Sequence, residues 1–155
     1  MCLVIDTCCL VKVFDPKNKE HYNFVPVWEW IHLGRGRMIY GGTKYLTELR
    51  QVTRILGLIG ELSRKGRVKV LSRSAVDTIA QEIKAQVSHS EFNDEHLVAI
   101  VIVSRCHVVC TDDRKAMPYL KRKELYKDHG MKRPKIYQRR KTHERLCCDE
   151  NVIVI

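Results

Sequence analysis

No apolar run in the 155 residues approaches the roughly 18–20 that a membrane helix needs, which excludes a helical span. The opening Met1-Cys2-Leu3-Val4-Ile5-Asp6 has no basic residue ahead of its apolar stretch, and an acid interrupts that stretch at once. It does not read as a secretory leader, and the expectation is a cytoplasmic protein. Aromatic residues are scarce, at 7%, and are not interleaved with basic ones, which argues against a module that reads RNA by base stacking. No glycine-rich phosphate loop precedes a helix, which sets aside a phosphatase or small-molecule hydrolase of that kind. There is no internal repeat and no Gly/Ser linker, so one domain over 1–155 is the economical reading.

Cysteine spacing is equally restrictive. Seven cysteines occur as Cys2, Cys8-Cys9, Cys106, Cys110 and Cys147-Cys148, with no Cys-x-x-Cys pair, so a structural zinc site is not indicated. A cytosolic setting keeps such thiols reduced. Cys106 and Cys110 flank an apolar stretch and read as small buried residues. Cys8 and Cys9 read as local packing, since no histidine stands beside them to activate a thiol. His21, His32, His89, His96, His107, His129 and His143 show no ligand spacing and read as structural or exposed.

What the chain does have is charge of one sign. Lys and Arg total 28 against 18 Asp and Glu, a formal net charge of +10. Residues 121–155 alone hold 11 basic and 5 acidic side chains, a basic C-terminal segment. Such a surface attracts polyanions, by counterion release where the partner is nucleic acid. The candidates for a phosphate grip are Lys132, Arg133, Lys135, Arg139, Arg140 and Lys141. With 45% hydrophobic residues the chain can still bury a core.

Apolar runs rich in β-branched residues predict strands at Cys2–Ile5, Arg37–Tyr40, Val68–Leu71 and His107–Cys110. Helical periodicity predicts helices at Thr7–Phe14, Asn23–Leu33, Thr43–Lys65, Ser74–Val87 and from Asp94 to about Arg105, with Asn93 as cap. Gly57 and Gly60 are expected to weaken or bend the longest of these. Asn151–Ile155 reads as a last short strand. Apolar strands alternating with helices imply an α/β fold, a three-layer α/β/α sandwich with a central, mainly parallel sheet.

In open α/β sheets, ligands gather beyond the carboxyl ends of the strands. Two strands here end in acids, Ile5-Asp6 and Cys110-Thr111-Asp112-Asp113. Glu48 shares a helical face with Val52, Ile55 and Ile59, and Asp94 heads the row Leu97, Val101, so both lean inward. Several carboxylates in one pocket repel one another, and a hard divalent cation, Mg²⁺ or Mn²⁺, resolves the repulsion. Asp6, Glu48, Asp94 and an acid from the 112–113 pair are the candidate catalytic set. An acidic pocket on a basic protein suits metal-dependent cleavage of a phosphodiester.

Val4-Ile5-Asp6-Thr7, Tyr45-Leu46-Thr47-Glu48-Leu49, Asn93-Asp94-Glu95-His96-Leu97-Val98-Ala99 and Val108-Val109-Cys110-Thr111-Asp112-Asp113 together resemble a PIN domain. The resemblance runs from residue 1 to about 117 and is to small ribonuclease toxins of VapC type and their single-domain relatives. It implies a Mg²⁺- or Mn²⁺-dependent endoribonuclease that hydrolyses RNA. In it Asp6, Asp94 and Asp113 hold the metal, Glu48 completes the site or orients the attacking water, and Asp112 is an extra ligand. Thr7 and Thr111 steady the acidic turns. The resemblance also implies dimers and a small antitoxin partner. Cys8-Cys9 depart from the family, as does Ala116-Met117 where an aromatic often stands. The alternatives are a non-catalytic nucleic-acid-binding module of PIN-like fold and a DNA-directed nuclease of related fold.

Overall fold

The computed structural model describes residues 2–88 and 91–147. Val4–Ile5 (β1) is apolar and fully buried, and a 3-10 turn, Thr7–Cys9, leads from it into Leu10–Phe14 (α1) and His21–His32 (α2). Met38–Gly41 (β2) is followed by Thr43–Gln51 (α3), Thr53–Arg64 (α4) and Val68–Leu71 (β3). Arg73–Gln86 (α5), begun by the Ser72 hydroxyl accepting from the Ala75 N–H, precedes Glu95–Ser104 (α6) and Val108–Cys110 (β4). Met117–Leu120 (α7), Glu124–Lys127 (α8), Lys135–Tyr137 (β5) and Arg140–His143 (α9) complete the described elements, with a 3-10 turn at Glu144–Leu146.

Every strand pair is parallel. Val4 and Ile5 face Val109 and Cys110, and Val108, Val109 and Cys110 face Lys135, Ile136 and Tyr137 on the other side of β4. β2 and β3 pair from Met38–Val68 to Gly41–Leu71. A single bridge, Leu3 to Met38, joins these two sets. There the Leu3 N–H donates to Arg37 O and the Ile39 N–H to Leu3 O, both at 2.9 Å. The spatial order is therefore β3-β2-β1-β4-β5. The chain moves outward from β1 to β3, then returns across the sheet to β4. Right-handed crossovers then place the earlier helices on one face and α5 and α6 on the other. α1 packs on α2 and α4, and α5 packs on α6. This is the expected α/β architecture, compatible with three layers. The crevice between β1 and β4, where the order reverses, is the natural ligand position of such a sheet.

α6 is apolar all round. Leu97, Val98, Ala99, Ile100 and Val101 are completely buried, as a helix under a second helix must be. Asn93 was the expected cap, but Asp94 takes the N-cap position. Its side chain makes no capping bond, so the carboxylate is free for other work.

One expectation along the chain is corrected. The long helix is split at Val52 (φ −92°, ψ 60°), whose N–H turns back to Leu49 O. Leu49 and Ile55 are both buried, yet six residues apart on one straight helix they would point about 120° apart. The break brings both to the core, and Gly57 and Gly60, with open space beside them, cause no bend. The fifth strand is Lys135–Tyr137 inside the basic segment; Asn151–Ile155 lies outside the described residues. Gly42, ahead of α3, has φ +84°, and a Cβ there would meet Val76 Cγ1 at 2.6 Å, so only glycine makes this turn.

Cys106 and Cys110 are fully buried, as expected. Cys2 and Cys106 are joined as a disulfide, Cα to Cα 5.7 Å, where reduced thiols were the expectation. Among the described residues, no helix is long and apolar enough to cross a membrane.

Candidate metal centre

Asp6 follows β1 directly, and its N–H extends the ladder by donating to Cys110 O at 2.9 Å. Its side chain is thereby turned into the β1–β4 crevice and is only 5% exposed. The Thr111 hydroxyl, itself fully buried, donates to Asp6 Oδ2 at 2.7 Å and accepts the Asp113 N–H at 3.1 Å. One hydroxyl thus ties the ends of two strands and sets the turn that carries Asp113. Thr111 and Cys8 both favour the charged form of Asp6. Burial nevertheless outweighs these bonds and holds Asp6 above its ordinary pKa.

Asp94 and Asp113 line one pocket of about 330 Å³ with Glu91, Phe92, Asn93 and Lys115. Burial, then the charge of Asp6, push Asp94 up to about 6; Asp113 adds to the rise, while His96 and Lys44 oppose it. Asp113 Oδ1 accepts the Lys115 N–H at 2.8 Å. Larger clefts lie elsewhere among the described residues, one of them, of about 350 Å³, between Lys121, Arg133 and Lys135. Another, of about 790 Å³, sits among Lys123, Lys127, Lys132 and Arg133 with Glu124 as its lone acid. A further one, of about 630 Å³, pairs Glu29 and Glu144 with Arg140 and Arg145. In the pocket of Asp94 and Asp113 the acids outnumber the bases, three carboxylates to one lysine.

Glu48 is reached from the other side. The Thr7 hydroxyl donates to its Oε2 at 2.8 Å, and His96 Nε2 lies 3.4 Å from the same oxygen. Burial acts to raise Glu48, but His96 and Thr7 prevail and hold it below its ordinary value. His96 is 2% exposed, and neither ring nitrogen has a hydrogen-bond partner. The sequence reading placed no function on His96; its two-residue offset from Asp94 on the first turn of α6 was the available signal. Lys44 was also missed. Its ammonium holds the Asn93 carbonyl and Oδ1 and lies 3.5 Å from Glu95, so one side chain pins the loop that presents Asp94.

The 112–113 ambiguity resolves structurally. Asp112 turns away from the pocket, and its Oδ2 is held by the Lys12 ammonium. Burial would raise Asp112, but Lys12 holds it below the usual carboxylate range. Its Oδ1 faces the Cys8-Cys9 side, 3.4 Å from Cys9 Sγ. The six basic candidates divide too. Lys132, Arg133 and Lys135 lie at or before the amino end of β5, whereas Arg139, Arg140 and Lys141 follow its carboxyl end. Because β5 is parallel to β4, only the second trio lies toward the end of the sheet that carries the acids. Arg140 is partly occupied by Glu144 (3.5 Å) and the Tyr22 ring (5.1 Å).

No three of Asp6, Glu48, Asp94 and Asp113 bring ligand oxygens mutually within 4.8 Å. The donors suit a hard cation all the same: they are carboxylates, and two of them are held above their ordinary pKa by burial despite Lys44 and His96 nearby. Mg²⁺ usually keeps several waters and takes only one or two carboxylates directly, so it does not require the oxygens to touch. Comparison with known proteins adds no relative: no family model, curated protein or solved structure matches the chain.

Proposed function

We propose that this protein is a Mg²⁺- or Mn²⁺-dependent ribonuclease that hydrolyses phosphodiester bonds. The observation that carries the reading is the convergence of Asp6, Asp94 and Asp113. They come from β1, the start of α6 and the turn after β4, and their electrostatic coupling appears in the rise of Asp94. Such repulsion inside a chain of net charge +10 is relieved by a divalent cation. The PIN-like motifs support the same reading. Asp6, Asp94 and Asp113 would hold the ion, which when bound neutralises charge on the phosphate and eases deprotonation of water.

The remaining steps belong to the chain. Glu48 stays ionised because Thr7 and His96 favour its charge. With Oε2 taken by Thr7, Oε1 is free to accept a proton from the attacking water. Thr111 fixes the Asp6 and Asp113 ends so that neither must reorganise when substrate arrives. Arg139 and Lys141 would grip phosphates on the same rim.

The test is cleavage of end-labelled single-stranded RNA with Mg²⁺ or Mn²⁺, with single-stranded DNA of the same sequence alongside. Cleavage leaving 5′-phosphate and 3′-hydroxyl ends, lost in Asp6→Asn and Asp94→Asn and on chelation, supports the reading. Cleavage of DNA in preference to RNA points to the DNA-directed alternative. Unchanged cleavage by both variants overturns it.

A further inference from the structure

A second set of ligands converges on the opposite side of Asp6. Cys8 Sγ and Cys9 Sγ are 3.8 Å apart. Asp112 Oδ1 lies 3.4 Å from Cys9 Sγ and 3.8 Å from Cys8 Sγ. Among the described residues, no other three His, Cys, Asp or Glu side chains bring their ligand atoms within 4.8 Å of one another. Tetrahedral zinc, with sulfur at about 2.3 Å and oxygen at about 2.0 Å, sets ligand separations of about 3.8 Å for S···S and about 3.5 Å for S···O. The three observed separations match these to within a few tenths of an ångström.

The surroundings complete the arrangement. Lys12 holds Asp112 Oδ2 and lies 3.6 Å from Glu20, which leaves Oδ1 turned toward the sulfurs. Two thiolates and a carboxylate carry three negative charges; one divalent cation and the Lys12 ammonium return the group to neutrality. Cys8 is exposed, so a fourth position opens to water. Without a cation both thiols remain protonated. Cys8 is pushed up by its bond to Cys9, by burial and by the nearby acids; Cys9 is pushed up by Cys110 and by burial. That removes them as nucleophiles.

We infer that Cys8, Cys9 and Asp112 form a thiolate-rich site for one Zn²⁺ ion, distinct from the carboxylate pocket in position and in ligand chemistry. Soft thiolates select zinc, and carboxylate oxygens select magnesium or manganese. Loading releases the two thiol protons to solvent. The cysteine spacing conceals the site because its third ligand stands more than a hundred residues away. The inference does not depend on the nuclease reading.

The full-length protein, held under an inert atmosphere without added reductant so that the Cys2–Cys106 disulfide stays intact, is titrated with Zn²⁺ by calorimetry and with Co²⁺ by absorption spectroscopy. One ion per chain with a thiolate-to-cobalt charge-transfer band is expected. Cys8→Ser and Asp112→Asn should each weaken binding at least about 30-fold, and Cys8→Ser should lower the charge-transfer intensity. Cys8 is at the surface, so circular dichroism of that variant should be unchanged. Asp94→Asn, which removes a carboxylate-pocket ligand, should leave the cobalt spectrum as in the wild type. Absence of the band, wild-type affinity in Cys8→Ser, or loss of the ion in Asp94→Asn overturns the inference. Failure of RNA cleavage leaves it standing.

Discussion

Replacing Asp94 by Asn should make the metal-free protein more stable at neutral pH, although it removes a carboxylate that the proposed cleavage requires. In the folded chain Asp94 sits at about 6, against an ordinary value of 3.8. The folded form therefore binds this proton more tightly than the unfolded form does. Its contribution to stability is greatest below about pH 4 and declines as pH rises through 6; above that the ionised carboxylate is a standing penalty. The displacement sets a ceiling of about 3 kcal/mol. Asp94 is partly exposed, and screening by water reduces this to about 1–2 kcal/mol. For a chain of 155 residues that corresponds to a rise in Tm of about 3–6 °C. Asn serves as well as Asp at an N-cap, and Asp94 makes no capping bond to lose, so helix capping does not confuse the result. Thermal unfolding in EDTA at pH 7.5 and pH 4.5 measures the effect: Asp94→Asn should melt higher than wild type at 7.5, and by only about a third of that margin at 4.5. Adding Mg²⁺ should raise the wild-type Tm and leave that of the variant nearly still. Equal destabilisation at both pH values would refute the reasoning, since it would mean that Asp94 is an ordinary structural partner.

Thr111→Val removes a buried bond to a carboxylate and a bond to the Asp113 N–H, and should cost about 2–3 kcal/mol in urea denaturation. His96→Leu removes the imidazole that lies 3.4 Å from Glu48 and favours its charge, and should destabilise by about 1 kcal/mol in the same assay. Arg139→Ala should weaken binding of a single-stranded RNA and reduce the slope of log affinity against log salt by about 1. Lys132→Ala, at the far end of β5, should change both quantities less, as read by fluorescence anisotropy at several salt concentrations.

The strands that end in acids were legible because their residues do two things at once. Val4-Ile5 and Val108-Val109-Cys110 are apolar on both faces, and each is followed at once by a polar turn. Periodicity located α5 and α6 to within a residue or so of their ends. β5 was hidden for a physical reason: three residues, one of them an exposed lysine, leave no alternation to read, and its pairing comes wholly from β4. The break at Val52 was equally invisible, since every position around it still fits a helical repeat. Asp112 and Asp113 cannot be told apart by type. Lys12, a hundred residues away in sequence, decides which of the two faces the pocket. Lys44 and His96 stood in plain view as ordinary surface and core residues, and only the fold brings them to Asn93 and Glu48.

From Leu97 to Ile102 α6 has no water-facing side, and this sets how the molecule breathes. Backbone amides along that stretch can exchange with solvent only when the whole chain opens. The aspartate at its head is anchored to the part of the protein that lets go last. Local opening elsewhere would leave the carboxylate crevice its shape.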